Sequence, residues 1–478
     1  MRRVVVVGGG PSGLVLGREL VARGGGALDV LVVEARPRPG GKAWSEPVSG
    51  YLVEHGPEGF LDSAPATLAL ARELGLGERL LPADPRAARR YLWSRGRLRP
   101  VPTHPAAFLA SGILSLPGRV AVLGEPFRPR GSGDDESVAA FARRRLGPEA
   151  ATTLVGAMVR GVYAGDAESL SMPSSFPRLA ALEREHGSLV RALVARRRHS
   201  QNGRGARAGA EDASRGGPAG PGGRLTSFVG GMSELGAALV RSLGPRFLQG
   251  RPAAAVRRAG AGWRVEFEDG GSEFCDAVAV ATEPWNASRL VEAESASLAA
   301  VLGEIPAAPA VVVALGVSTT DLGRPVDGFG FLVPPNEPLR MMGCLWSSAT
   351  FAHRAPEGRA LLRVLLGGRD RAVLDLPDDR LLALVLDELA TTMSLKGTPE
   401  MVRIVRWPKA IPQYTLGHGE RLARIGAARS ALPGLHLAGN GYRGISLNDC
   451  VTSAQAVARE LLLDAAGPAP GPPAGGPA

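Results

Sequence analysis

Gly8, Gly10 and Gly13 stand in the order G-x-G-x-x-G, a spacing whose chemistry is done by backbone. The first glycine lets the chain turn and the second lets backbone approach a diphosphate. The third lets a helix pack closely on a strand, and the helix N-terminus offers free N–H groups and positive dipole to phosphate oxygens. Gly9, Pro11 and Ser12 complete the loop. Glu34 follows Gly13 by 21 residues, where a carboxylate can accept both hydroxyls of a ribose. Ala35, Arg38, the pair Gly40-Gly41 and Lys42 come next: paired glycines let backbone pass near a ligand, and Arg38 can hold that loop or a phosphate. Gly439, Gly441 and Gly444 repeat the G-x-G-x-x-G order near the far end, so their amides can face the same ligand. The chemistry expected is the binding of a dinucleotide.

Nothing else in the chain spells out a reaction as clearly. Cys275, Cys344 and Cys450 lie far apart with no CxxC pair, which suggests neither a disulfide framework nor a thiolate metal site and fits a reducing cytosol. The seven histidines are scattered, and no metal-ligand cluster, nucleophile elbow or paired acid and base is visible. No metal is expected.

The elements that must position these residues can be read from periodicity. Val4 to Val7 is a β-branched run suited to a buried parallel strand, the apolar segment Leu14 to Ala22 is helical, and Val30 to Val33 is a second strand ending at Glu34. A helix over Phe228 to Leu243 is followed by a strand at Trp263 to Phe267, the turn 268–271, and the apolar run Ala277 to Ala281. Leu435 to Ala438 reads as another buried strand, with a last helix from Asp449 to Leu463. A nucleotide-binding domain assembled from the start, middle and end of the chain is therefore expected.

The length of 478 residues supplies about three domains' worth of chain. With 45% hydrophobic and 21% charged residues, the composition is globular. The net charge is +10, yet only three of the 56 cationic residues are lysines, Lys42, Lys396 and Lys409. Such an arginine bias looks like GC-rich coding. The arginines are scattered and no nucleic-acid module appears, so no nucleic-acid partner is expected. Arg196 to Arg224 and Gly467 to Ala478 are too poor in apolar side chains to offset the entropy of ordering them. The chain runs from Met1 straight into Val4 to Val7, leaving no room for a signal peptide. The longest apolar candidate, Ala106 to Leu116, is bounded by Pro105 and Pro117 and is too short to span a bilayer.

The ExxxRxGG arrangement from Glu34 to Gly41 resembles the amine-oxidase-like superfamily of FAD proteins, which favours FAD over NAD. Five longer strings narrow the resemblance: Glu54-His-Gly-Pro-Glu-Gly-Phe60, Arg160-Gly-Val-Tyr-Ala-Gly-Asp166, Gly328-Phe-Gly-Phe-Leu-Val-Pro334, Ile411-Pro-Gln-Tyr-Thr-Leu-Gly-His418 and Leu437-Ala-Gly-Asn-Gly-Tyr-Arg-Gly-Ile-Ser446. Running in this order, they look like the oxygen-dependent protoporphyrinogen oxidase family.

The resemblance implies an α/β fold: a discontinuous Rossmann-like FAD-binding domain (1–81, 225–286 and 404–465), an inserted α+β substrate-binding domain (82–98 and 287–403) and a mainly helical membrane-associating domain (99–195). Segments 196–224 and 466–478 are expected to be a disordered loop and tail. It implies non-covalent FAD, held by Gly8 to Gly13, Glu34, Ala35, Arg38, Gly41, Lys42, Gly56, Pro57, Glu58, Gly59, Ala253, Ala254, Gly439, Gly444, Ile445 and Ser446. In the same way Arg90 matches an arginine that pairs with a substrate propionate, Gly161 a residue whose carbonyl approaches the pyrroles, and Phe329 and Leu332 an apolar clamp on the macrocycle. Leu365 is a further wall candidate.

The activity implied is oxidation of protoporphyrinogen IX to protoporphyrin IX with molecular oxygen as acceptor. Two rivals are an enzyme acting on coproporphyrinogen, which carries four carboxylates instead of two, and an escort-type binding protein of the same architecture. His55 and His418 are expected to be structural. The run Ala106 to Leu116, with Arg119, Arg128 and Arg143 to Arg145 around it, is expected to rest on an anionic membrane surface at the cytoplasmic leaflet, burying Phe108, Leu109, Ile113 and Leu114 shallowly. A homodimer remains compatible with the reading.

Overall fold

The computed structural model describes residues 1–102, 104–131, 133, 135–192, 194–195 and 223–466. The valine run forms the strand Arg2–Val7 at the centre of a five-stranded parallel sheet, in the order Phe247–Gln249, Leu28–Glu34, Arg2–Val7, Ala277–Val280, Leu435–Leu437. Alternate residues feed opposite faces, as the pleat requires. Val4, Val6, Val30 and Val32 pack beneath the helices Pro11–Gly24, Ser233–Leu243 and Leu447–Ala466. Val5, Val7, Val278 and Val280 meet Trp263 and the helices Pro284–Val291 and Ala296–Gly303. Both faces are covered, which explains why these strands read as continuous apolar runs.

A seven-stranded sheet forms the second layer system, in the order Met401–Pro412, Ala307–Ser318, Arg359–Gly367, Gly343–Trp346, Gly330–Leu332, Tyr91–Ser94, Arg97–Pro100. One face packs Val313, Val364, Phe331 and Trp346 against the helix Asp378–Met393. The other carries Leu92, Leu332, Arg363 and Leu365, which alternate with that core set. Strand Met401–Pro412 pairs with Ala307–Ser318 along its length, so it crosses the boundary expected at 403/404. Likewise the helices from 284 to 303 pack on the parallel sheet, extending that layer past 286.

Residues 105–192 are mainly helical. Here the structure corrects the expected lipid contact: Ile113 and Leu114 are 1% and 0% exposed and pack with Leu92, Ala150 and Ala157, with Phe108 half-buried against them. This part of the run is core because Ile113 and Leu114 close the region onto strand Tyr91–Ser94. A buried ion pair, Arg145 to Glu125, braces the same region; Arg145 Nε donates to Glu125 Oε1 at 2.8 Å and Leu189 N to the same oxygen at 2.9 Å.

Segments 196–222 and 467–478 lie outside the described residues. Gly223 and Arg224, by contrast, are placed, and Arg224 Nε donates to Ala83 O at 2.7 Å. The final helix runs to Ala466.

Candidate cofactor cleft and substrate slot

The loop after the first strand is shaped by close approach. A Cβ on Gly13 would lie 1.8 Å from Gly8 O, while Gly8 itself has φ +115°, so both positions require glycine. Gly10 differs: no atom lies within 4 Å of where its Cβ would be. The helix Pro11–Gly24 begins there without a side-chain cap, leaving its first amides to an anion.

Glu34 is buried at the end of the second strand. Its Oε2 accepts from Gly9 N at 2.6 Å and its Oε1 from Arg36 N at 2.9 Å, which aims the carboxylate and leaves one lone-pair site per oxygen for ribose hydroxyls. Arg251 N donates to Glu34 O and Gly250 N to Arg36 O, both at 2.9 Å. The segment with Ala253 and the bulged Ala254 starts just beyond.

Several of the other predicted residues lie close to this loop or to one another. Gly40 N donates to Gly9 O at 2.8 Å, a Cβ on Gly41 would sit 3.2 Å from Gly10 Cα, and one on Gly56 would sit 2.1 Å from Lys42 O. Near the chain's end, Gly439 faces Ser12 Oγ and Thr282 O at about 4 Å from its would-be Cβ. Past Ile445, Asp449 N donates to Ser446 Oγ at 3.2 Å and Ser446 N to Asp449 Oδ2 at 3.0 Å, bracing the start of the last helix. Arg38 holds the loop: its Nη1 donates to Gly41 O at 2.9 Å and its guanidinium stacks on Trp44. Burial, then the neighbouring charge of Arg36, lowers its pKa. Three chain regions therefore present bare backbone, an uncapped helix and a fixed carboxylate to one open space. That donor set fits the diphosphate and ribose of FAD.

Glu58 is held in a buried ion pair. Its Oε1 lies 3.0 Å from Arg363 Nη1 and accepts from Ser347 Oγ, while Arg363 Nη2 donates to Gly56 O at 2.8 Å. Beside this pair, Arg354 Nη2 lies 3.4 Å from Glu54 Oε1. Burial pushes the Glu54 carboxyl up to about 7, against the pull of Ser45 and Arg354. Neither arginine stood out in the sequence, where nothing marks them among so many.

A second group, whose contacts no sequence pattern displays, explains two of the family strings. Gln413 Nε2 donates to Tyr163 O at 2.9 Å, Tyr414 Oη to Asn440 O at 2.5 Å, and His418 Nε2 sits 2.8 Å from Tyr442 O. The His418 ring stacks on Tyr414 with centroids 4.3 Å apart. These side chains tie the loop after Gly161 to the loop at Gly439 to Gly444. His55 Nε2 meets Glu46 at 2.7 Å.

The substrate candidates fall in two neighbouring groups. Leu332, Gly343 and Leu365 are directly opposite one another across three strands, so they share one face. Gly161 closes on that row, since a Cβ there would lie 2.6 Å from Leu332 Cδ2. Leu365 also touches the cluster of Ala164, Ala308 and Met342. Phe329 does not join Leu332; it packs with Ala83, Ala87 and Phe351, beneath Arg90, whose Cζ is 5.5 Å from its ring centroid. Arg89 is paired with Asp327. Arg90 has no carboxylate partner among the described residues, and its desolvated surroundings lower its pKa. Exposed, and without a counter-ion among the described residues, its guanidinium is available to a substrate carboxylate.

Comparison with known proteins gives a consistent picture. The family model described as flavin containing amine oxidoreductase matches residues 11–462. The coproporphyrinogen III oxidase of Bacillus subtilis (strain 168) is 29% identical over 96% of this chain and 98% of its own length. The protoporphyrinogen oxidase of Homo sapiens is 34% identical over 96% and 98%. Among solved structures, one from Exiguobacterium sp. 255-15 superposes with a TM-score of 0.81 at 24% identity, covering 97% of this chain and 99% of that one. It shares the fold.

Proposed function

The chain belongs to the flavin-containing amine oxidoreductase family and is an FAD oxidoreductase; on that premise we propose that it oxidises a porphyrinogen, with protoporphyrinogen IX giving protoporphyrin IX and oxygen reduced to hydrogen peroxide. The observation that carries the reading is Arg90, without a carboxylate partner among the described residues and two positions before Leu92, which pairs with Leu332 of the apolar row Leu332, Gly343 and Leu365. A flat macrocycle needs an apolar wall and its propionate needs a cation. When bound, FAD supplies the two-electron acceptor chemistry. The chain's own part is to hold Arg90 against a propionate, offer the Gly161 carbonyl to pyrrole N–H groups, and exclude water with Leu332 and Leu365.

Coproporphyrinogen III is the second reading, supported by two relatives named coproporphyrinogen III oxidase that match nearly the whole chain at 29% and 32% identity. Steady-state turnover of the two porphyrinogens side by side, with peroxide measured, decides between them. A colourless protein that turns over neither would instead be an escort-type binding protein.

The membrane reading moves to a different surface. Leu116, Val120 and Leu123 recur at helical spacing on the helix Leu116–Leu123 and are 72%, 67% and 52% exposed, with Phe127 beyond them at 87%. Such a stripe on an arginine-bearing segment suits shallow, reversible binding to an anionic leaflet, at about 1 kcal/mol per engaged arginine plus apolar burial. The double change Leu116→Ser with Val120→Ser is expected to cut binding to anionic vesicles at least severalfold and to leave turnover of detergent-solubilised substrate near wild type. Co-sedimentation checks this; equal binding of wild type to neutral and anionic vesicles would sink the proposal.

A further inference from the structure

With lysine at three of 56 cationic positions, an ammonium in this chain is the exception. Two of the three meet at one indole: Lys42 Nζ lies 5.2 Å and Lys409 Nζ 5.6 Å from the ring centroid of Trp285. They arrive from opposite sides, Lys42 from the glycine-rich loop and Lys409 from the edge strand Met401–Pro412 of the other sheet. Lys42 has a counter-ion, Glu283. Lys409 is exposed and has none among the described residues.

Local geometry brings Lys409 over Trp285. The strand's register shifts between Ala308 and Ala310, so that Ile411 and Trp407 pair on either side of an irregularity holding Pro408 and Lys409. Trp407 Nε1 donates to His55 O at 2.8 Å, anchoring the strand to the Glu54 to Phe60 string. A Cβ on Gly441 would lie 2.2 Å from Pro284 Cγ, next to Trp285. Trp285 thus stands between the Gly439 to Gly444 loop and Lys42, whose neighbour Gly41 packs on Gly10, and both ammonium groups stand over its ring. An ammonium is a compact point charge with three freely rotating donors, whereas a guanidinium needs a flat fork. Where two cations must share one crowded anion, lysine suits.

We propose that Lys409 is an FAD-contacting residue that, with Lys42, clamps the diphosphate from the substrate-sheet side. The inference rests on FAD as cofactor and is independent of which porphyrinogen is oxidised. A substrate carboxylate is the other anionic oxygen that could reach this cation, and the two sources separate experimentally. Deflavinated full-length protein is titrated with FAD and with riboflavin, which lacks the diphosphate, following flavin fluorescence. Lys409→Met is expected to raise the Kd for FAD about tenfold, to leave the riboflavin Kd unchanged, and to leave apoprotein Tm unchanged. Lys42→Met is expected to discriminate the two flavins in the same direction. Equal weakening of both flavins, or an unchanged FAD Kd with a raised KM for porphyrinogen, would overturn the assignment.

Discussion

Gly10→Ala is expected to give a folded protein with little or no flavin. The position has φ −74° and ψ 178°, which alanine adopts freely, and its new methyl would touch nothing in the protein. Apoprotein Tm should therefore stay within about 1 °C, since surface changes free of contacts shift stability by at most about 0.5 kcal/mol. The methyl instead enters the space that a diphosphate needs at the uncapped helix start. Displacing the ligand there costs about 1 to 3 kcal/mol, a ten- to hundredfold rise in Kd for FAD. Gly13→Ala is the contrasting variant: its methyl meets Gly8 O, so it should lower Tm as well as flavin content. Full flavin occupancy in Gly10→Ala at limiting FAD would contradict the cradle.

Arg90→Ala is expected to lower kcat/KM about ten- to hundredfold with flavin content intact, because a charge-assisted hydrogen bond contributes about 1.5 to 3 kcal/mol. The neighbour supplies the control. Arg89 is already engaged by Asp327, so Arg89→Ala should change kcat/KM less than threefold, about 0.6 kcal/mol or less. The substrate's carboxylate is the reason for the difference, and an ester analogue of the porphyrinogen should erase it. If Arg90→Ala turns over at the wild-type rate, or if Arg89→Ala is the more damaging change, the anchor lies elsewhere.

These two predictions stand at opposite ends of what could be read without coordinates. The glycine loop was legible because its contacts are backbone contacts between near neighbours. The turn from Gly8 to Gly13, the strand before it and the helix after it are encoded in one short stretch, and Glu34 follows at the distance set by one helix and one strand. The Rossmann-like layer was legible for a similar reason: strands buried on both faces must be apolar throughout, and the valine run could hardly be anything else. Domain limits were less so. Strand Met401–Pro412 is largely half-buried or exposed at an edge, and its allegiance is decided by pairing with Ala307–Ser318.

The slot was legible as a set of residues but not as an arrangement. Leu332 and Leu365 become neighbours only through Gly343, which the three-strand register sets between them, while Phe329 is drawn into another cluster. Ile113 and Leu114 read as surface because an apolar run beside arginines has two outcomes, lipid or core, and the packing of Leu92, Ala150 and Ala157 selects core. Electrostatic roles depended most on the tertiary structure. Arg89 and Arg90 are adjacent and chemically identical, and Asp327, more than two hundred residues away, neutralises one of them. Glu58 finds Arg363, and Lys409 finds Trp285, each across more than a hundred residues. By itself the sequence determined the cofactor loop and its layer, since local backbone geometry and burial on two faces leave a short stretch few alternatives. Which charges are paired, and which remain to hold a ligand, only the tertiary structure decided, because a charge is free or spent according to what distant chain folds against it.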